Sequence, residues 1–238
     1  CHSEHYVLQG GWGECHRGNP AAVRKELAHQ RLLTGRAAEQ GMPNGEAVRE
    51  GKRLVENAAC RRCHSIDGAG NRLATDLDWV VWQRDQQQLL ASIATPVENM
   101  PVFGFDRRQA EALIAFLLQH RNPAGAQDAY RVHFRPAGSG NPTNTFEEKC
   151  GGCHRLLSPA GPLGRASQGP NLSGLFTRFY PPTAPGDQPW SAKALADWLR
   201  NPRTFRSAST MLPVPLTEDE LQRVTDQLGG ADLQRRLR

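Results

Sequence analysis

Four of the six cysteines in this 238-residue chain repeat one pattern, Cys-x-x-Cys-His, at Cys60–His64 and again at Cys150–His154. Two thiols at that spacing can add to the two vinyl groups on one edge of a porphyrin, and the adjacent imidazole can ligate the iron. Because the chain has only eight histidines, a histidine in that place twice by chance has a probability of roughly one in a thousand. The motifs therefore predict covalent haem c attachment, with His64 and His154 as iron ligands.

Other uses of paired cysteines fit this sequence less well. Two zinc knuckles usually lie about 15–20 residues apart, whereas 86 residues separate the pair Cys60 and Cys63 from the pair Cys150 and Cys153. A redox-active disulfide of the thioredoxin type needs a βαβ pattern and no following histidine, and the sequence shows no such pattern. Haem attachment is the chemistry that uses all three residues of each motif.

The sequence around the two motifs forms two similar repeats. In each, a short helix leads into the motif, and a Gly/Pro-rich stretch that suits chain wrapped around a flat ring follows it, at 67–70 and at 158–162. A further helix, a Met-Pro-like element and a closing amphipathic helix complete each repeat. Met100 and Met211 lie in those Met-Pro-like elements, where a thioether can reach the second axial position of an iron.

Local signals predict where the helices of the repeats begin and end. The first helices are expected over Glu46–Ala59 and, in a shorter form, over Thr145–Lys149. Asp106 is a plausible N-cap for the first closing helix, and Thr217–Glu220 is a capping box for the second. A further helix is expected over Ser191–Arg200, which stops before an Asn-Pro pair.

Both repeats resemble class I cytochrome c domains, on the motif, the later methionine and the closing helix. The resemblance covers about residues 45–122 and 143–232, with 123–142 as a linker. It implies a mainly α, loop-rich fold with tandem cytochrome c domains, a haem with His64 and Met100 as axial ligands, and a haem with His154 and Met211. The second repeat departs from the family pattern because Leu212 separates Met211 from its proline.

Residues 1–44 are expected to form an N-terminal segment that binds a third haem. Cys15-His16 lacks a cysteine three positions earlier, and two readings remain open. Cys1 and Cys15 could both attach the haem across a long spacing, which would use all six cysteines in pairs. Alternatively, Cys1 could be a lipidated lipoprotein cysteine, as its first position favours, with Cys15 holding the haem by one thioether.

Both readings make His16 the proximal ligand of the third haem. His29 is the favoured distal ligand, because it is expected in a helix that can fold back over the ring; His5, His2 and Met42 are the alternatives. The segment from Cys15 to His29 also resembles, more loosely, triheme cytochrome lipoproteins of selenite/tellurite-reduction and extracellular electron-transfer systems. That resemblance implies a place in the cell envelope.

These features together predict an electron carrier with three haem c groups, two at the minimum, rather than an enzyme. Covalent haem attachment implies a periplasmic, outer-membrane-anchored or extracellular location and not the cytoplasm, with other redox proteins as partners.

The net charge of +5 comes from scattered basic residues without interleaved aromatics, which argues against nucleic-acid binding. Two alternatives stay open: a haem reductase or peroxidase with an open N-terminal haem, and a subunit of a conducting filament or conduit.

Overall fold

The computed structural model describes residues 16–19, 21–97, 99–122 and 144–229. These residues form nine α-helices and one two-stranded hairpin, with 3₁₀ turns at Gly35–Gly41 and Cys60–Arg62. The elements are α1 (Lys25–Ala28), α2 (Glu46–Asn57), α3 (Leu77–Gln83), α4 (Gln86–Ala94), α5 (Arg107–Gln119), α6 (Thr145–Lys149), β1 (Leu156–Ser158), β2 (Gly161–Leu163), α7 (Ala192–Arg200), α8 (Pro202–Phe205) and α9 (Glu218–Gln227). The mainly α character predicted from the sequence is confirmed, while the tandem arrangement of class I domains stays a prediction.

The described residues divide into two compact units. Unit one comprises the chain from 16 to Cys60, Ile66–Gly68 and the chain from Thr75 to 122. Unit two comprises Arg61–Ser65, Ala69–Ala74 and the chain from 144 to 229. The loop that follows the first cysteine motif therefore belongs largely to unit two.

The crossing of α2 over α5 is the centre of unit one. The buried residues of α2 recur at helical spacing, as Ala47, Val48, Gly51, Leu54 and Val55, and form the apolar face of an amphipathic helix. At the crossing, a Cβ on Gly51 would lie 2.1 Å from the carbonyl oxygen of Ala112 in α5. The absence of a side chain at Gly51 is therefore what lets the two helix backbones approach so closely.

The chain before α2 packs on the same central helix. Ala37, in the 3₁₀ turn, is fully buried in the core that α5 forms. The carboxylate of Glu111 in α5 accepts the backbone N–H of Arg36 at 3.1 Å and the Nε–H of Arg107 at 2.9 Å. A buried carboxylate needs such partners to offset its desolvation. Residues of the predicted N-terminal segment thus share the core of unit one.

In unit two, the first and closing helices contact each other through polar side chains around a buried aromatic ring. Phe146 of α6 is fully buried in the main core cluster of this unit. Its backbone N–H donates to Gln227 Oε1 at 3.0 Å, and Arg223 Nε donates to Thr145 Oγ1 at 3.0 Å. The predicted capping box starts α9, with Thr217 as the N-cap. These contacts hold the start of α6 against α9, and the second cysteine motif continues from the other end of this short helix.

Most helix bounds agree with the sequence predictions, and three features differ. Helix α2 ends at Asn57, two residues before the predicted end. The stretch 158–162, expected as a wrapping loop, contains the turn and the adjoining strand residues of an antiparallel hairpin with Leu156 opposite Leu163. The helix predicted between the first motif and Met100 is two helices, α3 and α4, because Asp85 starts a new capping box.

Candidate haem attachment sites

The first motif lies in a tight turn directly after α2. Helix α2 is closed by Ala58, and Ala59 then takes a left-handed backbone conformation with φ of 51°. Cys60–Arg62 form a 3₁₀ turn, and Cys60 packs against the core of unit one. The change of direction at Ala59 turns the chain out of the helix and into the Cys-x-x-Cys-His motif.

The chain after the first motif, residues 65–74, which we call the first attachment loop, folds back onto the motif. Its amides return to the motif carbonyls: Asn71 N–H donates to the oxygen of Arg61 at 2.8 Å, and Leu73 N–H donates to that of Cys63 at 3.0 Å. Gly70 makes the return possible, because its φ is +141° and a Cβ there would lie 1.9 Å from the carbonyl oxygen of His64. Only glycine fits this close approach.

The second motif is followed by a return of the same kind, in residues 155–172, the second attachment loop. Arg165 N–H donates to the carbonyl of Gly151 at 3.1 Å, and Gly169 N–H donates to that of Cys153 at 2.8 Å. These acceptors occupy the same motif positions as Arg61 and Cys63 in the first site. A Cβ on Gly164, with φ of +71°, would lie 1.9 Å from the carbonyl oxygen of His154. In both motifs, a glycine therefore allows the following loop to pass close enough to hydrogen-bond back to the motif carbonyls.

The imidazole of His154 is held in one tautomer by the second attachment loop. Its Nδ1 lies 2.8 Å from the carbonyl oxygen of Pro170, and the residue is only 8% exposed. A carbonyl oxygen can only accept, so Nδ1 carries the proton and the lone pair of the neutral ring is on Nε2. Gly169 lies against the ring, since a Cβ there would be 2.3 Å from Cε1. This is the arrangement in which an imidazole is oriented as a metal ligand through Nε2.

His16 has the same hydrogen-bond geometry as His154. Its Nδ1 lies 2.9 Å from the carbonyl oxygen of Leu33, 17 residues further on. Leu33 N–H donates in return to the His16 carbonyl at 2.7 Å, which closes the segment between them into a loop. The Nε2 atom of His16 therefore carries the lone pair in the neutral ring. Its neighbour Cys15, like Cys1, His2 and His5, lies outside the described residues.

The predicted distal ligands lie in different kinds of environment. Met100 and Met211 are both half-buried and precede the closing helices α5 and α9. The sulfur of Met211 accepts a hydrogen bond from Trp198 Nε1 at 3.1 Å. His29 was expected inside a helix, but α1 is a single turn that ends at Ala28, and His29 is its exposed C-cap. Met42 is the C-cap of the 3₁₀ turn at Gly35–Gly41.

Two of the four motif thiols have raised pKa values. Burial, followed by the proximity of Cys153, raises the pKa of Cys150 to about 11, and burial raises the pKa of Cys63. Redox-active or nucleophilic cysteines instead have lowered pKa values in electropositive surroundings. No disulfide joins the four cysteines Cys60, Cys63, Cys150 and Cys153. Cys63 and Cys150 therefore lack the lowered pKa that thiol–disulfide exchange uses.

Unit two brings the first motif and the first attachment loop into contact with the second attachment loop and the chain just after it, which the sequence did not predict. Arg62 Nη1 donates to the carbonyl oxygen of Asn171 at 3.1 Å, and its guanidinium lies 5.7 Å from the ring centroid of Tyr180. The buried amide of Asn71 donates to the carbonyl of Arg62 at 2.8 Å and to Thr177 Oγ1 at 2.9 Å. The two variable residues of the first motif gave no signal for this, because arginine in a turn is usually solvated.

A second feature that the sequence did not reveal is the environment of Arg17 in unit one. Its guanidinium is partly buried and donates to the carbonyl oxygen of Val81 at 3.2 Å. Burial, and then the charges of Arg121 and Arg31, lower the pKa of Arg17 to about 10. Three positive groups that are far apart in the sequence are thus close enough in the fold to repel one another.

Residues 46–117 match the family described as cytochrome c oxidase, cbb3-type, subunit III. The match takes in the first motif, helices α2 to α4 and most of α5, which is less than a third of the chain. No solved structure matches the chain. Among the described residues, no helix has the length and apolar character needed to cross a membrane, and no group of three or more His, Cys, Asp or Glu could hold a metal ion.

The family match agrees with the geometry of the first motif and of the helix crossing at Gly51. A cytochrome c domain binds haem c and transfers electrons. Residues 46–117 therefore form a cytochrome c domain, similar to subunit III of cbb3-type cytochrome c oxidases. This domain supports the conclusion that the chain is a c-type cytochrome.

Proposed function

We propose that this chain is a multihaem c-type cytochrome that holds three haem c groups and relays electrons between other redox proteins in the bacterial envelope or outside the cell. It acts as a carrier and not as an enzyme. The first haem is attached at Cys60 and Cys63, the second at Cys150 and Cys153, and the third at Cys15. Each haem supplies a one-electron couple whose potential depends on its axial ligands and surroundings.

The case for the second haem rests on the parallel between the two motifs. In both, the attachment loop returns to the same two motif carbonyls, and a glycine lies against the carbonyl of the motif histidine. His154 adds an oriented Nε2 lone pair. Met211 is the proposed distal ligand: its sulfur accepts one hydrogen bond from Trp198, and a thioether sulfur has a second lone pair that could bind iron. Met100 is the corresponding residue for His64.

The case for the third haem rests on His16, which has the tautomer and carbonyl partner of a proximal ligand. A histidine fixed in this way by a distant backbone carbonyl matches His154, where the carbonyl is 16 residues further on. His29 remains the proposed distal ligand, and its exposed position after a one-turn helix leaves it able to approach the ring. Whether Cys1 carries lipid or a second thioether decides how the chain is anchored.

The hydrogen bond from Arg62 to the carbonyl of Asn171 is the observation that carries the relay. Arg62 precedes Cys63, and Asn171 follows Pro170, whose carbonyl orients His154. A continuous path of covalent and hydrogen bonds thus leads from a haem-attaching cysteine to the iron ligand of the next site. The contact of Leu73 with Leu157 adds a buried apolar contact between the two loops.

Intramolecular electron transfer tests this proposal. In the holoprotein, one haem is reduced rapidly with a photochemical donor, and redistribution of the electron is followed in the visible spectrum. We expect the variant Arg62→Gln to redistribute the electron more slowly than the wild type. Arg72→Gln is the matched control, because Arg72 is an exposed arginine in the loop that follows the same motif. Equal rates in all three proteins, with all haems present, would contradict the relay.

The same preparations separate a carrier from an enzyme. A carrier has two axial ligands on each iron and gives low-spin ferric spectra only. A high-spin ferric signal in the wild type, with cyanide binding that displaces no ligand, would instead support a reductase or peroxidase. Size-exclusion chromatography at increasing protein concentration shows whether the chain assembles into a filament.

A further inference from the structure

Unit one contains a cationic cavity that neither the family match nor the three-haem count assigns. Its volume is about 460 Å³, and Arg17, Arg31 and Arg121 line it together with Asn19, Gln30 and Trp82. The three arginines come from the segment after His16 and from the end of α5. Every charged residue that lines the cavity is positive.

Within the described part of the chain, the three guanidinium groups have no carboxylate partner. Arg17 donates one hydrogen bond to a backbone carbonyl, and its buried Nη2 has no acceptor among those residues. Arg31 and Arg121 make long contacts to neutral acceptors, at 3.5 Å to the carbonyl of Gln83 and at 3.4 Å to Gln40 Oε1. Bringing three like charges together costs free energy unless an anion joins them. Arg17 is half-buried and Arg31 and Arg121 are exposed, so the cavity presents three positive charges that favour an anionic ligand.

The remaining walls indicate a ligand that is partly apolar. Trp82 is 38% exposed and Leu27, also at the cavity, is 52% exposed, so the cavity presents apolar surface beside its cationic groups. A cavity of about 460 Å³ is far larger than a simple tetrahedral oxyanion needs. Guanidinium groups bind carboxylates through paired hydrogen bonds. An apolar body that carries two carboxylates fits these walls better than a small ion.

We propose that the cavity lined by Arg17, Arg31 and Arg121 binds a ligand through carboxylate or oxyanion groups that the three guanidiniums neutralise. Two sources can supply that chemistry: the propionates of a haem held by His16, and a free oxyanion from solution. Arg17 follows His16 directly in the chain, and the apolar walls favour the propionates. In that form the inference rests on the third haem proposed above.

The test uses the purified holoprotein and the variants Arg31→Gln and Arg121→Gln, with Arg24→Gln as the control. Arg24 is an exposed arginine of the same unit that does not line the cavity. The first measurement is spectroelectrochemistry of all haems. If the cavity holds propionates, removing a neighbouring cation stabilises the ferric state, so the potential of one haem falls in both cavity variants and the others stay unchanged. The pH at which that potential changes slope also moves upward, because the propionate has lost its cation.

The second measurement is calorimetric titration with inorganic phosphate at constant ionic strength. If the cavity takes a free oxyanion, the wild type binds phosphate saturably, both cavity variants bind it at least tenfold more weakly, and no potential shifts. Unchanged potentials together with no phosphate binding would overturn the inference. A wild type with only two haems would refute the third haem of the proposed function. The phosphate titration would then be the test of whether the cavity binds an anion.

Discussion

Gly169 offers the sharpest perturbation of the proposed second haem site, because it lies against the imidazole of His154. A Cβ at this position would be 2.3 Å from Cε1, whereas ordinary contacts begin at 3.4 Å. The variant Gly169→Ala must therefore displace the ring by about 1.1 Å. The hydrogen bond from Nδ1 to the carbonyl of Pro170 is 2.8 Å long, and a movement of that size breaks it.

The sign and size of the effect follow from that hydrogen bond. Donation from Nδ1 raises the basicity of the ligating nitrogen and so stabilises the ferric state; its loss raises the potential of the haem at His154. A hydrogen bond contributes about 0.5–1.5 kcal/mol, and a one-electron potential changes by about 59 mV for each tenfold change in the equilibrium constant. We therefore expect an increase of about 20–60 mV in one haem only.

Spectroelectrochemistry of the holoprotein measures this shift. The matched control is Gly152→Ala, since a Cβ at Gly152, inside the same motif, meets nothing within 4 Å. Haem content is determined for each variant first, so that a protein that fails to bind haem is recognised. If Gly169→Ala keeps all its haems and every potential equals that of the control, the orientation of His154 by the second attachment loop has no role in tuning the site.

Three further predictions concern the helices and ligands. Gly51→Ala should lower the free energy of unfolding by about 1–3 kcal/mol, because the added Cβ would lie 2.1 Å from the Ala112 carbonyl oxygen. The higher helix propensity of alanine offsets only about 1 kcal/mol of this. Thermal unfolding of this variant and of the exposed-site control Lys52→Ala measures the difference. Met211→Leu should convert one haem to a high-spin ferric form that binds cyanide, and a spectrum identical to the wild type would exclude Met211 as a ligand. Hydrogen bonds from the backbone of Thr217 and from Lys149 lower the pKa of Glu220 below 4.5. The contribution of Glu220 to stability is therefore present above pH 4.5 and is lost as the pH falls through the lowered pKa. In acid unfolding, the stability difference between the wild type and Glu220→Gln should vanish at low pH.

The helices of this protein could be predicted because their signals are local. The caps predicted at Asp106 and Thr217 accept the expected backbone N–H groups, and a cap needs only its next three residues. The Cys-x-x-Cys-His motifs are equally local, since attachment chemistry fixes their spacing. Helix α6, at Thr145–Lys149, was predicted with its observed bounds.

The features that the sequence did not reveal depend on residues far apart in the chain. Strands β1 and β2 have three residues each, too few for an alternating pattern. Glu111 interrupts an apolar run in α5, and only the fold shows that Arg36 and Arg107 satisfy its carboxylate. The cluster of positive charges at Arg17 includes Arg121, about 100 positions further along the chain, and no local sequence pattern predicts such a contact.

The contact between the first motif and the second attachment loop belongs to the same class of features. In the sequence, Arg62 is one of several scattered basic residues. Its hydrogen bond to Asn171 crosses 109 positions of the chain. The two motifs in the sequence are enough to suggest an electron relay. Only the fold shows which residues connect them.

The number of covalently bound haems tests the central claim most directly. Intact mass spectrometry of the purified holoprotein counts them, because each haem adds about 616 Da through thioether bonds that survive denaturation. The account predicts three additions to the polypeptide mass, with one lost in a Cys150→Ala and Cys153→Ala double variant. A polypeptide mass without any haem addition, from a host that matures c-type cytochromes, would contradict it.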